Sequence, residues 1–231
     1  MQKPVVFLEL IFGPKIPVVL TGTWFVMAIL IVVGLLARAS LARAKDPVIP
    51  DEGLTLRSVS ELLVEWLDGF VHDVTELHEY RALVPFFGSL FTFIICANFM
   101  GLIPGMEPPT ADSDLTFALG TTCFAYFIIQ GFRQKGAAGY LRSFLGPYLP
   151  IAILMLPIEV ADNVFRPFSL GLRLYANMFA DHSVLGIFTN LTYLVVPVVF
   201  YIFGSIVCTI QALIFMVLSM AYVRLATAEE H

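Results

Sequence analysis

Between Leu156 and Asn190 an otherwise apolar stretch carries Glu159, Asp162, Arg166, Arg173, Asp181 and His182. Carboxylates and imidazoles take up and release protons, whereas an arginine is a permanent positive charge. Placed on a helix at about 100° per residue, Arg166, Ser169, Arg173 and Asn177 follow one another at steps of three, four and four along one face. Glu159 and Asp162 extend that stripe by one to two turns towards the start of the chain, Asp181 drifts off its edge, and His182 lands roughly opposite Arg173. Along the axis Arg173 stands about 21 Å from Glu159 and about 12 Å from Asp181. Proton-exchanging groups thus lie on both sides of a fixed cation, and the chemistry this allows is ion transfer. The competing reading is salt-bridged or snorkelling charge. It suits Arg166, near an interface, as well as a functional role does. It does not suit Arg173, which has no carboxylate three or four residues away. Pro167 marks a kink or a helix start.

A second polar row lies near the C-terminus, where Gly204, Cys208, Gln211, Phe215 and Leu218 share a face, with Ser205 and Thr209 beside them. Gln211 is its one strongly polar amide, and small neighbours would let another helix approach closely. By itself this row reads equally as a packing glutamine. Cys96, Cys123 and Cys208 fall inside apolar segments; an odd number there argues against a disulfide framework or a metal cluster, and they read as small packing residues. No glycine-rich phosphate loop precedes a Lys-Ser or Lys-Thr pair, and His78-Glu79 lacks the second histidine of a zinc-protease motif. No nucleotide, cofactor, metal or nucleic acid is expected on this chain.

The elements that must position these groups follow from composition. Of 231 residues 58% are hydrophobic and 13% charged, against roughly 45–50% and about 25% in soluble domains. The excess has to face lipid. Apolar runs at about 17–37, 83–103, 115–132, 145–190 and 191–223 are long enough to cross a hydrocarbon core of about 30 Å as helices. They predict an all-α membrane protein of about five spans in a single polytopic domain (1–231), the last two long and tilted. The first run lacks the short basic start and small-residue cleavage site of a signal peptide, so it is expected to stay. Arg38, Arg43, Lys45 and Arg57 follow span one, Arg133, Lys135 and Arg142 follow span three, and Arg224 follows span five; the loop from Pro104 to Asp114 has Glu107, Asp112 and Asp114 and no base. Basic short loops stay cytoplasmic, which puts the N-terminus outside and the C-terminus in the cytoplasm. Val59 to Tyr80 is too charged to span. Its Leu62, Leu63, Trp66, Phe70 and Val74 step by three and four, which predicts an amphipathic helix on the cytoplasmic interface, whose acidic face suits a protein partner at least as well as lipid.

RPFSLGLRLYANMFADH (Arg166 to His182), followed by IQALIFMVLSMAYV (Ile210 to Val223) and a tail ending AEEH, resembles subunit a of rotary F-type ATP synthases. PPTADSDLTFAL (Pro108 to Leu119) and KGAAGYL (Lys135 to Leu141) also resemble that family, so the likeness covers most of the chain; the first 50 residues share only its pattern. The resemblance implies a proton-translocating channel subunit, not an enzyme by itself, in the bacterial inner membrane, with a rotor ring of small c subunits and peripheral-stalk b subunits as partners. It implies that Arg173 is the essential arginine facing the ring, Asn177 and Gln211 its polar neighbours, Glu159 a carboxylate of the cytoplasmic half-channel, and His182 one member of an outer half-channel pair. The partner position of that pair corresponds to Gly204, which cannot titrate. This departure makes Asp181 the obvious substitute. A secondary transporter with its own charged site is the main rival, but neither an inverted repeat nor paired broken helices are evident. The choice between proton and sodium lies largely in the ring.

Overall fold

The computed structural model describes residues 17–43, 55–77, 80–143, 149–191 and 195–227, and every regular element among them is helical. Lys45, the His78-Glu79 pair and the C-terminal AEEH lie outside the described residues. Two compact units divide the chain near Pro109.

The first unit holds α1 (Val18–Arg43), α2 (Leu56–Thr75) and α3 (Val84–Met100). Its centre is Val26 of α1 against Ala97 and Met100 of α3, with Phe25, Leu30, Phe93 and Cys96 around them. Outward, α1 exposes Trp24, Ile31, Val32 and Leu35, an apolar face that suits lipid. Thr55 caps α2, its Oγ1 accepting from the Ser58 N–H at 3.2 Å. At the other end Glu76 adopts φ 52° and donates its backbone N–H to the His72 carbonyl.

Helix α2 is shorter than the expected Val59–Tyr80, and its buried side is Arg57, Leu67, Val71 and Thr75. Leu62 and Trp66, of the expected apolar face, are exposed. A membrane protein has two apolar surroundings, its own core and the lipid, and periodicity alone does not tell which side faces which. Trp66 still stacks on Phe70, with centroids 5.2 Å apart, and meets Phe91 of α3 at 5.6 Å.

The second unit holds α4 (Ser113–Ser143), α5 (Leu149–Leu191) and α6 (Val195–Thr227). α4 runs past its expected end to Ser143, with a break at Gly136 where φ is 71°. At 43 residues, α5 is about 64 Å long, roughly twice a hydrocarbon core. Pro167 neither starts nor ends it; Pro157 and Pro167 both lie inside. α1, α4 and α6 contain stretches long and apolar enough to cross a membrane, and α3 is a shorter apolar helix.

α4 and α5 approach closely at two glycines. A Cβ on Gly120 would lie 2.6 Å from the Pro167 carbonyl oxygen, and one on Gly171 would lie 2.9 Å from the Thr116 carbonyl oxygen. Phe117 stacks on Phe168 beside them at 5.3 Å. Inside a membrane, helices associate through such close packing rather than through water exclusion. Gly120→Ala is therefore expected to destabilise the α4–α5 pair by about 1–3 kcal/mol, the usual cost of overpacking. Gly34→Ala, where a Cβ meets nothing within 4 Å, serves as the neutral control. The measurement is the amount of this subunit recovered in membranes and its thermal inactivation. Equal recovery of the two variants would contradict the packing argument.

Candidate functional site

The register of α5 follows from its buried side. Leu170, Leu174, Met178 and Leu185 are nearly inaccessible, and about a quarter turn round the helix from them Ser169, Arg173 and Asn177 are exposed. The stripe expected from spacing is thus a surface stripe. Arg173 makes no hydrogen bond or ion pair among the described residues. A guanidinium carries five N–H donors in a rigid fork, so this face offers a fixed charge with its bonding capacity unspent.

One turn on, Asn177 donates from Nδ2 to Oε1 of Gln211 on α6 at 2.6 Å. That bond joins the two polar rows separately visible in sequence. Gln211 is 2% exposed, and its Nε2 has no partner among the described residues. Leaving such a donor unsatisfied costs about 1–3 kcal/mol, so the site suits a water or an incoming acceptor. Gly204, Cys208 and Phe215 lie buried in the same row, as the spacing predicts.

Towards the C-terminal end of α5 an open pocket of about 320 Å³ is lined by Asn177, Ala180, Asp181 and Val184 and by Phe200, Phe203 and Val207 of α6. The three α6 residues bracket Gly204 in the chain. Asp181 also lies within electrostatic reach of Cys208, one turn beyond Gly204. His182 does not line this pocket; its Nδ1 is buried without a partner among the described residues. The spacing of Phe200, Phe203 and Val207 (steps of three and four) was a signal for this wall, but nothing in their chemistry separates it from ordinary packing.

At the other end of the stripe Arg166 donates from Nη2 to Oδ2 of Asp162, an ion pair one turn apart. Its guanidinium also lies over the Tyr222 ring of α6, 5.6 Å from the centroid. The salt-bridged reading of Arg166 therefore describes what its side chain does. Asn163 donates to the Glu159 backbone carbonyl at 2.9 Å and lies 3.5 Å from its carboxylate. Among the described residues no group of three or more His, Cys, Asp or Glu is placed to hold a metal.

Long apolar helices define an all-α membrane protein, and its longest helix carries a surface cation without a partner among the described residues, with titratable groups at either end of its stripe. Comparison with known sequences then settles its kinship: the chain belongs to the ATP synthase A chain family, whose sequence profile matches residues 20–224. It is 42% identical over 199 residues to ATP synthase subunit a of Bdellovibrio bacteriovorus, covering 86% of each chain. To ATP synthase subunit a of Solibacter usitatus it is 38% identical, covering 89% of this chain and 85% of the relative. ATP synthase subunit a 2 of Syntrophotalea carbinolica is likewise 38% identical, over 91% of this chain and 86% of its own.

Proposed function

We propose that this chain is the proton-translocating membrane subunit of a bacterial ATP synthase, with two offset half-channels that serve the carboxylates of a rotor ring and are kept apart by Arg173. The observation that carries this reading is the exposed, unpaired guanidinium of Arg173 between two ends of α5 that both bear titratable groups. No partner for that charge exists within the described residues, so a carboxylate brought to it by another subunit is its natural counter-ion.

The physics of passage follows. A protonated rotor carboxyl is neutral and can turn into lipid, whereas an ionised one is held where a cation and water stabilise it. Arg173 favours the ionised form as each carboxylate passes. Because it does not release its own proton near neutral pH, it also blocks direct hopping between the two sides. The Asn177–Gln211 pair sets the polar surface beside it, with the Gln211 Nε2 donor still to be met. Asp181 serves the outer half-channel through the pocket beside Gly204, and His182 serves it from outside that lining. Glu159 and Asp162 lie along the cytoplasmic one.

Arg133, Lys135 and Arg224 lie on the cytoplasmic side in this reading, and Asp112 and Asp114 face outward, so the N-terminus is outside and the C-terminus inside. Peripheral-stalk b subunits hold the chain against the ring.

The test is ATP-driven acidification of vesicles carrying the complete enzyme in sodium-free buffer. Acidification that a protonophore collapses, with no uphill solute transport by this chain alone, is expected. Solute accumulation by the isolated chain would favour a secondary transporter, and a strict sodium requirement would replace the proton.

A further inference from the structure

Glu159 and Asp162 look alike in the sequence: two carboxylates on one edge of the stripe. Their surroundings differ. Asp162, with a side chain 55% exposed, is bonded to Arg166, whose own side chain is only 16% exposed and covers Tyr222 on α6. Protonating Asp162 would break this pair and strand a mostly buried guanidinium without its counter-charge, the costly way to disturb an ion pair. Glu159 has no such tie. Its carboxylate meets only Asn163 Nδ2 among the described residues, at 3.5 Å, the outer limit of a hydrogen bond. Among the described residues the other titratable or charged groups around them are Tyr140 of α4, within electrostatic reach of both Glu159 and Arg166, and Tyr222 of α6.

Resting on the function proposed above, we infer that the two carboxylates divide the work: Glu159 carries the proton, and Asp162 is the fixed counter-charge that holds Arg166 over Tyr222. During synthesis the rotor carboxylic acid loses a proton to water, a Glu159 oxygen takes it from that water, and Glu159 passes it on to cytoplasmic water, which restores its carboxylate; in ATP-driven pumping the same transfers run in reverse. Arg166 is a positioning residue in this scheme. By occupying Asp162 it keeps a second proton acceptor out of the path.

A rescue experiment tests this in the complete enzyme in vesicles, with ATP-driven proton pumping scaled to the amount of assembled complex. Glu159→Gln should lower pumping at least about a hundredfold, the lower end of what a positioned proton-transfer group contributes. Adding Arg166→Gln should recover much of that loss, because Asp162 is then released to accept protons. Adding Arg166→Lys instead should not, because the cation stays. Asp162→Asn on top of the rescued double variant should abolish the recovery. A role of Arg166 as a mere staple between α5 and α6 predicts no recovery, since each further change would only weaken assembly. Should the Arg166→Gln enzyme not assemble, dicyclohexylcarbodiimide on the wild-type complex decides. This reagent attacks protonated carboxyls, and peptide mass spectrometry should find it on Glu159 ahead of Asp162. Modification of Asp162 at an equal or higher rate, or an assembled double variant no better than Glu159→Gln, overturns the inference. If Glu159→Gln pumps like wild type while Arg173→Ala does not, the inference fails and the proposed function stands; if both pump, the proposed function fails as well.

Discussion

Replacing Asp181 by Asn and His182 by Ala together is expected to remove at least about 99% of proton flux, the lower end of what a positioned acid–base group contributes. Each single replacement should cost less and shift the dependence on external pH. A donor working near neutral pH needs a group that titrates there; histidine does so near about 6.5, and burial brings a carboxylate upward from its usual range. Gly204, at the position where a titratable partner is expected, offers neither. The pocket beside it supplies space for water instead, with Asp181 and the Asn177 amide in its lining and Phe200, Phe203 and Val207 as its apolar wall. His182 lies outside that lining, and among the described residues its buried Nδ1 has no partner, so the two groups occupy different surroundings. That arrangement is why the double variant should lose far more than either single one. Restoration of flux by Gly204→Glu in the double background would show that a carboxylate on α6 reaches the same water. A double variant with wild-type flux and wild-type pH dependence would mean that protons enter elsewhere, with Asp112 and Asp114 the next groups to test.

How much of this was legible beforehand depends on which interaction decides each feature. The stripe of Arg166, Ser169, Arg173 and Asn177 rests on helical geometry alone, and Ser169, Arg173 and Asn177 are exposed on one side of α5. The apolar runs likewise located the helices, because burial of backbone polar groups in lipid leaves the chain little alternative. Their ends were less legible. α4 breaks at Gly136, a little past its apolar run, before helix resumes to Ser143, and a positive-φ glycine rather than the loss of hydrophobicity sets that break. Which apolar residues of α2 pack inward and which face outward was not legible, because core and lipid are both apolar. The Asn177–Gln211 bond and the Arg166–Tyr222 contact join residues far apart in sequence, and no local periodicity encodes which rows meet. The tight passage at Gly120 and Gly171 belongs to the same class, because a glycine in an apolar run is silent until its neighbour is known.

Arg173 carries the central claim. Its replacement by alanine should abolish ATP-driven proton pumping and proton-driven ATP synthesis while the complex still assembles, because an exposed side chain without internal partners contributes little to packing. Two effects combine in the loss. The rotor carboxylate loses the charge that favours its ionised form, and the barrier between the half-channels becomes open to direct proton transfer. Arg173→Lys should rescue poorly, since an ammonium is a compact, strongly hydrated charge that lacks the planar fork and loses its proton more readily when desolvated. The most direct measurement is coupled pumping by assembled Arg173→Ala enzyme in vesicles, alongside passive proton leak through the same membranes. The account predicts no pumping, with leak equal to or above wild type. Pumping near the wild-type rate in an assembled alanine variant would contradict it.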